Sequence, residues 1–228
     1  ILQSGGVFYG GLLAAIPVAW WFIKKEGLPG WATADALVRW HMVQAGRLQQ
    51  DEKLASRFVW MAAKETDTFV DRPTSFIELE GTSLKAALDV VRKYGIVRDR
   101  ELPFTGGKLY PKDAKTFYAR AAQLKIRSYF NLDADLRNWR TWIASNGPIM
   151  VALQVDAVWD NAGNTQGVLA AYDPTTVRGG HAAALVGYTP TGFIVRNSWG
   201  TTWGDAGFGY ASDAYAAAAF SEAYGIVV

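Results

Sequence analysis

A chain of 228 residues is long enough to bury a substantial core, in one large domain or in two lobes sharing a cleft. Hydrophobic residues make up 50% and charged residues 19%, the balance of an ordinary globular protein. A net charge of +2 without a basic stripe gives no case for nucleic acid, and zero cysteines exclude disulfides, thiolate metal sites and thiol redox motifs. Only His41 and His181 are present, with no His-Glu-x-x-His pair and no acidic calcium loop, so neither a metal nor another cofactor is expected. The compartment stays open, because a chain without disulfides fits either side of a membrane.

Residues 5–23, "GGVFYGGLLAAIPVAWWFI", carry no charge and run into two lysines. A tryptophan pair beside lysines resembles a membrane-interface anchor. Gly5, Gly6, Gly10, Gly11 and Pro17 punctuate the run, however, and its flanks do not form a signal-peptide pattern. Residues 1–22 are therefore expected to pack as an apolar segment on the domain or on a partner. Contact with an assembly or a membrane through residues 5–23 is the other reading.

The elements that follow change character along the chain. Apolar residues 34, 37, 38, 42 and 45 keep a helical period that Gly46 can close, and "LASRFVWMAAKE" (54–65) reads as a second helix. A third, over 81–95, is entered by Gly-Thr-Ser and closed by Gly95, and a fourth over 110–125 has Pro111 near its start. A fifth covers 133–147, with Trp139, Trp142 and Ile143 on one side. After Gly147-Pro148 come short apolar runs at 149–155, 181–188, 192–197, 207–212 and 224–228, read as an antiparallel sheet or partial barrel. A short helical turn fits 215–220. Helices first and strands later describe an α+β protein with two lobes. The clusters Asp51-Glu52-Lys53 and Arg98-Asp99-Arg100-Glu101 read as solvated turns, and the ten tryptophans as packing rather than a carbohydrate surface.

Six stretches carry a further signal: "IKKEGLPGWATADAL", "SRFVWMAAKE", "GTSLKAALDVVRKYGIV", "NGPIMVALQV", "GGHAAALVGY" and "VRNSWGTTWGDAGFGY". In this order, and ending with His before Asn-Ser-Trp-Gly, they resemble the papain-like cysteine peptidases, in particular the bacterial members. The resemblance runs from about Ile23 to the C-terminus. It implies a two-lobed fold: a helical lobe over about 23–110 and an antiparallel, β-barrel-like lobe over about 111–228, with the site in the cleft between them. It also implies that a peptide or protein occupies that cleft.

Such a site uses a thiolate at a helix N-terminus, a histidine that carries the proton, an asparagine that orients the ring, and a glutamine in the oxyanion hole. The resemblance places His181 and Asn197 in the histidine and asparagine positions, with Trp199 as the indole that shields their contact. Without the flanking motifs His181 would read as a satisfied core histidine. Gly81, Thr82 and Gly180 fall where the family lines the substrate. The first motif departs from the pattern Gln-Gly-x-x-Gly-x-Cys: Glu26 stands at the glutamine and Ala32 at the nucleophile. A rival register puts Leu28 at the nucleophile but loses the glycine frame. A methyl group cannot attack a carbonyl, and an ionised carboxylate has no proton to give an oxyanion. Thr33 lies about 100° around the helix from Ala32, and no other substitute nucleophile is expected from Thr82 or Ser83.

Three functions fit: an inactive pseudopeptidase that binds peptide or protein, an active cysteine endopeptidase carrying a Cys-to-Ala change, and a structural subunit of an assembly. The loss of both Ala32's thiol and Glu26's amide in one motif favours the first.

Overall fold

The structure, a computed structural model, describes residues 30–66, 82–103 and 113–228. The apolar segment 5–23, Glu26, Leu28, Gly81 and Pro111 lie outside the described residues, as do the readings that depend on them. The chain divides into two units, one ending at Tyr129 and regaining Ile226–Val228, the other spanning Phe130–Gly225.

The first unit is built from helices. Helix α1 (Gly30–Gln44) buries Ala34, Leu37, Val38 and Met42 of the expected stripe, while Ala45, also counted in that period, lies one residue past the helix and is exposed. It ends as the sequence suggests: Gly46 has φ +69°, Gly46 N–H donates to Val43 O at 3.0 Å, and Arg47 N–H to Met42 O at 2.8 Å. That paired closure satisfies two carbonyls that a helix end otherwise leaves open. Helix α2 (Ser56–Thr66) contributes Phe58, Val59 and Ala63, and helix α3 (Leu84–Lys93) contributes Leu84, Ala87, Leu88 and Val91. The three pack on one another. At about 1.5–3 kcal/mol for each fully buried large aliphatic or aromatic side chain, this burial is what holds such short helices. Ser83 caps α3 by accepting from Ala86 N–H at 3.1 Å.

Helix α4 (Ala114–Ala122) is shorter than its sequence pattern, because Asp113 caps it by accepting from Thr116 N–H at 2.9 Å. Gly95 (φ +89°) lets the chain after α3 meet this helix: a Cβ there would lie 1.9 Å from Ala121 O.

The two charge clusters are solvated only in part: Asp51, Lys53 and Arg100 are exposed, whereas Glu52 and Arg98 are drawn into one contact. Glu52 accepts from Gln49 N–H at 3.0 Å and from Arg98 Nε at 2.5 Å, and only 18% of its side chain is exposed. Backbone pairing explains this: Ala55 N–H donates to Val97 O and Asp99 N–H to Lys53 O, so the two charged runs become one antiparallel bridge. Buried Arg39 closes the same corner by donating to the Glu52 and Gln50 carbonyls.

Seven strands form one sheet: β1 (Ser128–Asn131), β2 (Ile149–Val155), β3 (Val168–Leu169), β4 (Gly179–Thr189), β5 (Gly192–Arg196), β6 (Phe208–Ser212) and β7 (Phe220–Val227), in the order β1-β7-β2-β4-β5-β6-β3. Among the described residues the sheet does not close into the expected barrel. The sheet is open, its edges are the short strands β1 and β3, and β3 pairs with β6 in parallel. Strand β7 begins at Phe220, earlier than the apolar run at 224–228 suggests. It follows directly from α6 (Asp213–Ala219) and gains its first residues by pairing with β2 across a bulge.

In the second unit the period-2 pattern sets the core. Ile149, Val151, Leu153 and Val155 of β2 share a face with Ala183, Leu185, Phe193 and Val195. Trp139 of helix α5 (Leu136–Asn146) and Tyr215, Ala216 and Ala219 of α6 join that core. Trp139 is fully buried with its indole N–H on Asp133 O at 2.8 Å, so the tryptophans are indeed packing here.

Candidate active site

His181 lies on β4 opposite Leu153 of β2, and Asn197 is the first residue after β5, the next antiparallel strand. Their side chains meet: His181 Nε2 is 2.8 Å from Asn197 Oδ1. That oxygen also accepts from Ser198 N–H at 2.8 Å, which fixes the amide with its oxygen toward the ring. An amide oxygen only accepts, so Nε2 carries the proton and the neutral ring keeps its lone pair on Nδ1. Nδ1 has no hydrogen-bond partner among the described residues.

The strand end that presents Asn197 is held by its neighbour. Arg196 is buried, lies over the Phe208 ring at 4.5 Å, and donates from Nη1 to Ala206 O at 3.1 Å. Asn197 N–H in turn donates to Gly207 O at 3.1 Å. Gly207 suits the position because its φ of +90° is one that a side chain rarely adopts, and a Cβ there would also crowd Gly200 O at 3.0 Å. Burial lowers the Arg196 pKa to about 10, still leaving it charged at neutral pH.

Aromatic rings enclose the pair. The Trp199 ring is 5.0 Å from that of His181. A second tryptophan, Trp159, meets His181 edge-on at 5.4 Å and also touches Trp199 at 5.6 Å and Trp203 at 4.9 Å. Trp203 donates its indole N–H to Trp159 O at 2.8 Å. The histidine is consequently 6% exposed, and burial lowers its pKa to about 4 against the opposing help of Asn197. At neutral pH this imidazole is uncharged.

Trp159 went unmarked in the sequence reading. It sits in the turn Ala157–Trp159 after β2, where no motif links it to residue 181. The one available signal is a tryptophan directly after a buried strand. Gly180 pairs with Gln154 beside the histidine and is exposed, and a Cβ built on it would meet nothing within 4 Å.

In the first unit, Ala32 is the third residue of α1 and so lies in its first turn. Thr82 directly precedes the Ser83 cap of α3 and is half-buried. Asp35, one turn beyond Ala32, is buried and accepts from the Ser56 hydroxyl. Its pKa rises to about 7 through burial, opposed by Ser56 and Arg39. Among the described residues no group of three or more His, Asp or Glu could hold a metal ion, and no helix is long and apolar enough to cross a membrane.

Residues 72–222 match the family described as "Papain family cysteine protease". The chain is 32% identical over 125 residues to papain of Carica papaya, covering 54% of this chain and 34% of papain. It is 27% identical over 110 residues to cysteine proteinase B of Leishmania mexicana, covering 46% of this chain and 24% of that protein. The chain thus spans about a quarter to a third of these relatives' length. Among solved structures it is similar in fold to xylellain, a cysteine protease from Xylella fastidiosa, with TM-score 0.73 and 20% identity over 89% of this chain and 80% of that one. A Carica candamarcensis cysteine protease in complex with E-64 gives TM-score 0.56 and 20% identity over 89% of this chain and 90% of that one.

Proposed function

Because the chain belongs to the papain family of cysteine proteases yet has no cysteine in its 228 residues, we propose that it is an inactive pseudopeptidase that binds peptide or protein. The observation that carries this reading is the His181–Asn197 pair, intact under Trp199 in a chain without a thiol. Nucleophilic chemistry of this kind needs a thiolate, activated at a helix N-terminus and paired with an imidazolium. Ala32, in the first turn of α1, stands where that thiol belongs by the spacing of the first motif. Glu26 removes the second requirement, because its carboxylate cannot donate to an oxyanion. On this reading Thr82 and Gly180 line the peptide and His181 is retained as a neutral ring.

The second reading is a cysteine endopeptidase whose nucleophile has been replaced by alanine. The intact histidine–asparagine pair and relatives named as cysteine proteinases favour it. The two readings part at Glu26. Loss of one oxyanion donor costs roughly 2.7–4 kcal/mol of transition-state stabilisation. Under the pseudopeptidase reading, Ala32→Cys alone gives a thiol that alkylates but scarcely cleaves a peptide library, and Ala32→Cys with Glu26→Gln cleaves measurably faster. Brisk cleavage by the single variant would establish the second reading.

A further inference from the structure

Beneath His181 runs a chain of buried hydrogen bonds that the histidine, asparagine and shielding indole do not use. The Trp159 indole N–H lies 2.9 Å from the Tyr215 hydroxyl, and that hydroxyl lies 2.7 Å from Asp156 Oδ1. The other Asp156 oxygen accepts Asp173 N–H at 2.8 Å. Trp159 and Asp156 are fully buried and Tyr215 is 1% exposed. The direction of the chain is fixed by chemistry. An indole N–H only donates, so the tyrosine oxygen accepts from it and must give its own proton to a carboxylate that only accepts. Burial and the Asp156 carboxylate both push the Tyr215 pKa upward, which keeps the phenol protonated and the direction unchanged.

Three rings lie against that indole. Trp159 contacts His181, Trp199 and Trp203, as Trp199 also contacts the other three, but of these two indoles it is Trp159 whose N–H is anchored on the Tyr215 hydroxyl. Ring contacts of this kind are worth about 0.5–1.5 kcal/mol each and tolerate sliding, whereas a hydrogen bond to a buried hydroxyl sets one depth and one tilt. The hydroxyl is itself set, because Tyr215 N–H is capped by Ser212 and its ring packs against Tyr172 and Phe220. We propose that Asp156 and Tyr215 are positioning residues for His181, acting through Trp159 to hold the imidazole edge-on and away from water. The catalytic meaning of this role rests on the family reading of His181; the positioning itself does not.

The test reads the imidazole rather than turnover. With only two histidines in the chain, ring-nitrogen NMR can follow His181 as a function of pH. In Tyr215→Phe the aromatic packing stays while the indole N–H loses its acceptor. The His181 titration should then move up from about 4 towards the ordinary histidine value. The expected shift is at least about half a pH unit, with Nε2–H exchange about tenfold faster as water gains access. Trp159→Phe, which keeps a ring and deletes the N–H, should move both readouts in the same direction, and it stands in if Tyr215→Phe does not fold. Phe193→Leu is the control: it disturbs the same core at a ring that packs on Trp139 rather than on Tyr215 or Trp159, and should leave His181 unchanged. The proposal is overturned if folded Tyr215→Phe and Trp159→Phe keep the parent titration and exchange, or if Phe193→Leu alters them equally. Because no step requires cleavage, an inactive Ala32→Cys variant would bear on the function proposed above and not on this positioning.

Discussion

Asn197 Oδ1 accepts two hydrogens at 2.8 Å, one from His181 Nε2 and one from Ser198 N–H, so a single oxygen fixes both the ring and the chain beside it. Replacing Asn197 by alanine strands the buried Nε2 proton. Leaving a buried donor unsatisfied costs about 1–3 kcal/mol. Urea denaturation of Asn197→Ala at pH 7 should show that loss, and ring-nitrogen NMR should show the tautomer becoming mixed.

The pH dependence of stability follows from the depressed His181 value. The unfolded histidine takes a proton near 6.5, whereas the folded one does so only near 4. Between these values the unfolded state binds more protons, so stability present above 6.5 is lost as pH falls towards 4. The loss from this one group is on the order of 3 kcal/mol. His181→Gln should flatten that part of the stability profile measured by urea denaturation between pH 4 and 7.

Asp35 works in the opposite sense. Its folded value, about 7, lies above the ordinary 3.8, so its contribution is full at low pH and is lost as pH rises through 7. Ser56, Arg39 and Asp99 are the groups that act on it. An asparagine keeps an oxygen for the Ser56 hydroxyl and carries no charge. Asp35→Asn should therefore be more stable than the parent at pH 8 and lose that advantage at pH 4, read from Tm at the two values.

Gly95→Ala tests the packing of the first unit. The new Cβ would sit 1.9 Å from Ala121 O at a backbone φ of +89°, where a side chain is strained in any case. Backbone would have to move, and a destabilisation of about 2 kcal/mol or more is expected. A melting temperature within a degree of the parent would show that the turn after α3 can shift away from α4 without cost.

Local chemistry made much of this protein legible. The stripe 34, 37, 38, 42 with Gly46 behind it defines α1, since a helix period and a residue free to take positive φ are properties of a short stretch. The order of His181 before Asn-Ser-Trp-Gly made the pair legible as well, because successive antiparallel strands bring such residues together. What remained hidden depends on separations that no local period encodes. Glu52 and Arg98 look like solvated charges until the isolated bridge between Leu54 and Arg98 draws their segments together. The sheet stays open because its edges fall to the short strands β1 and β3, a matter of strand order rather than of alternation within any strand. Trp159 is an ordinary core tryptophan in sequence. It becomes the ring beneath His181 only because β2 lies beside β4, and because Tyr215, 56 residues further on, offers the oxygen that receives its indole proton.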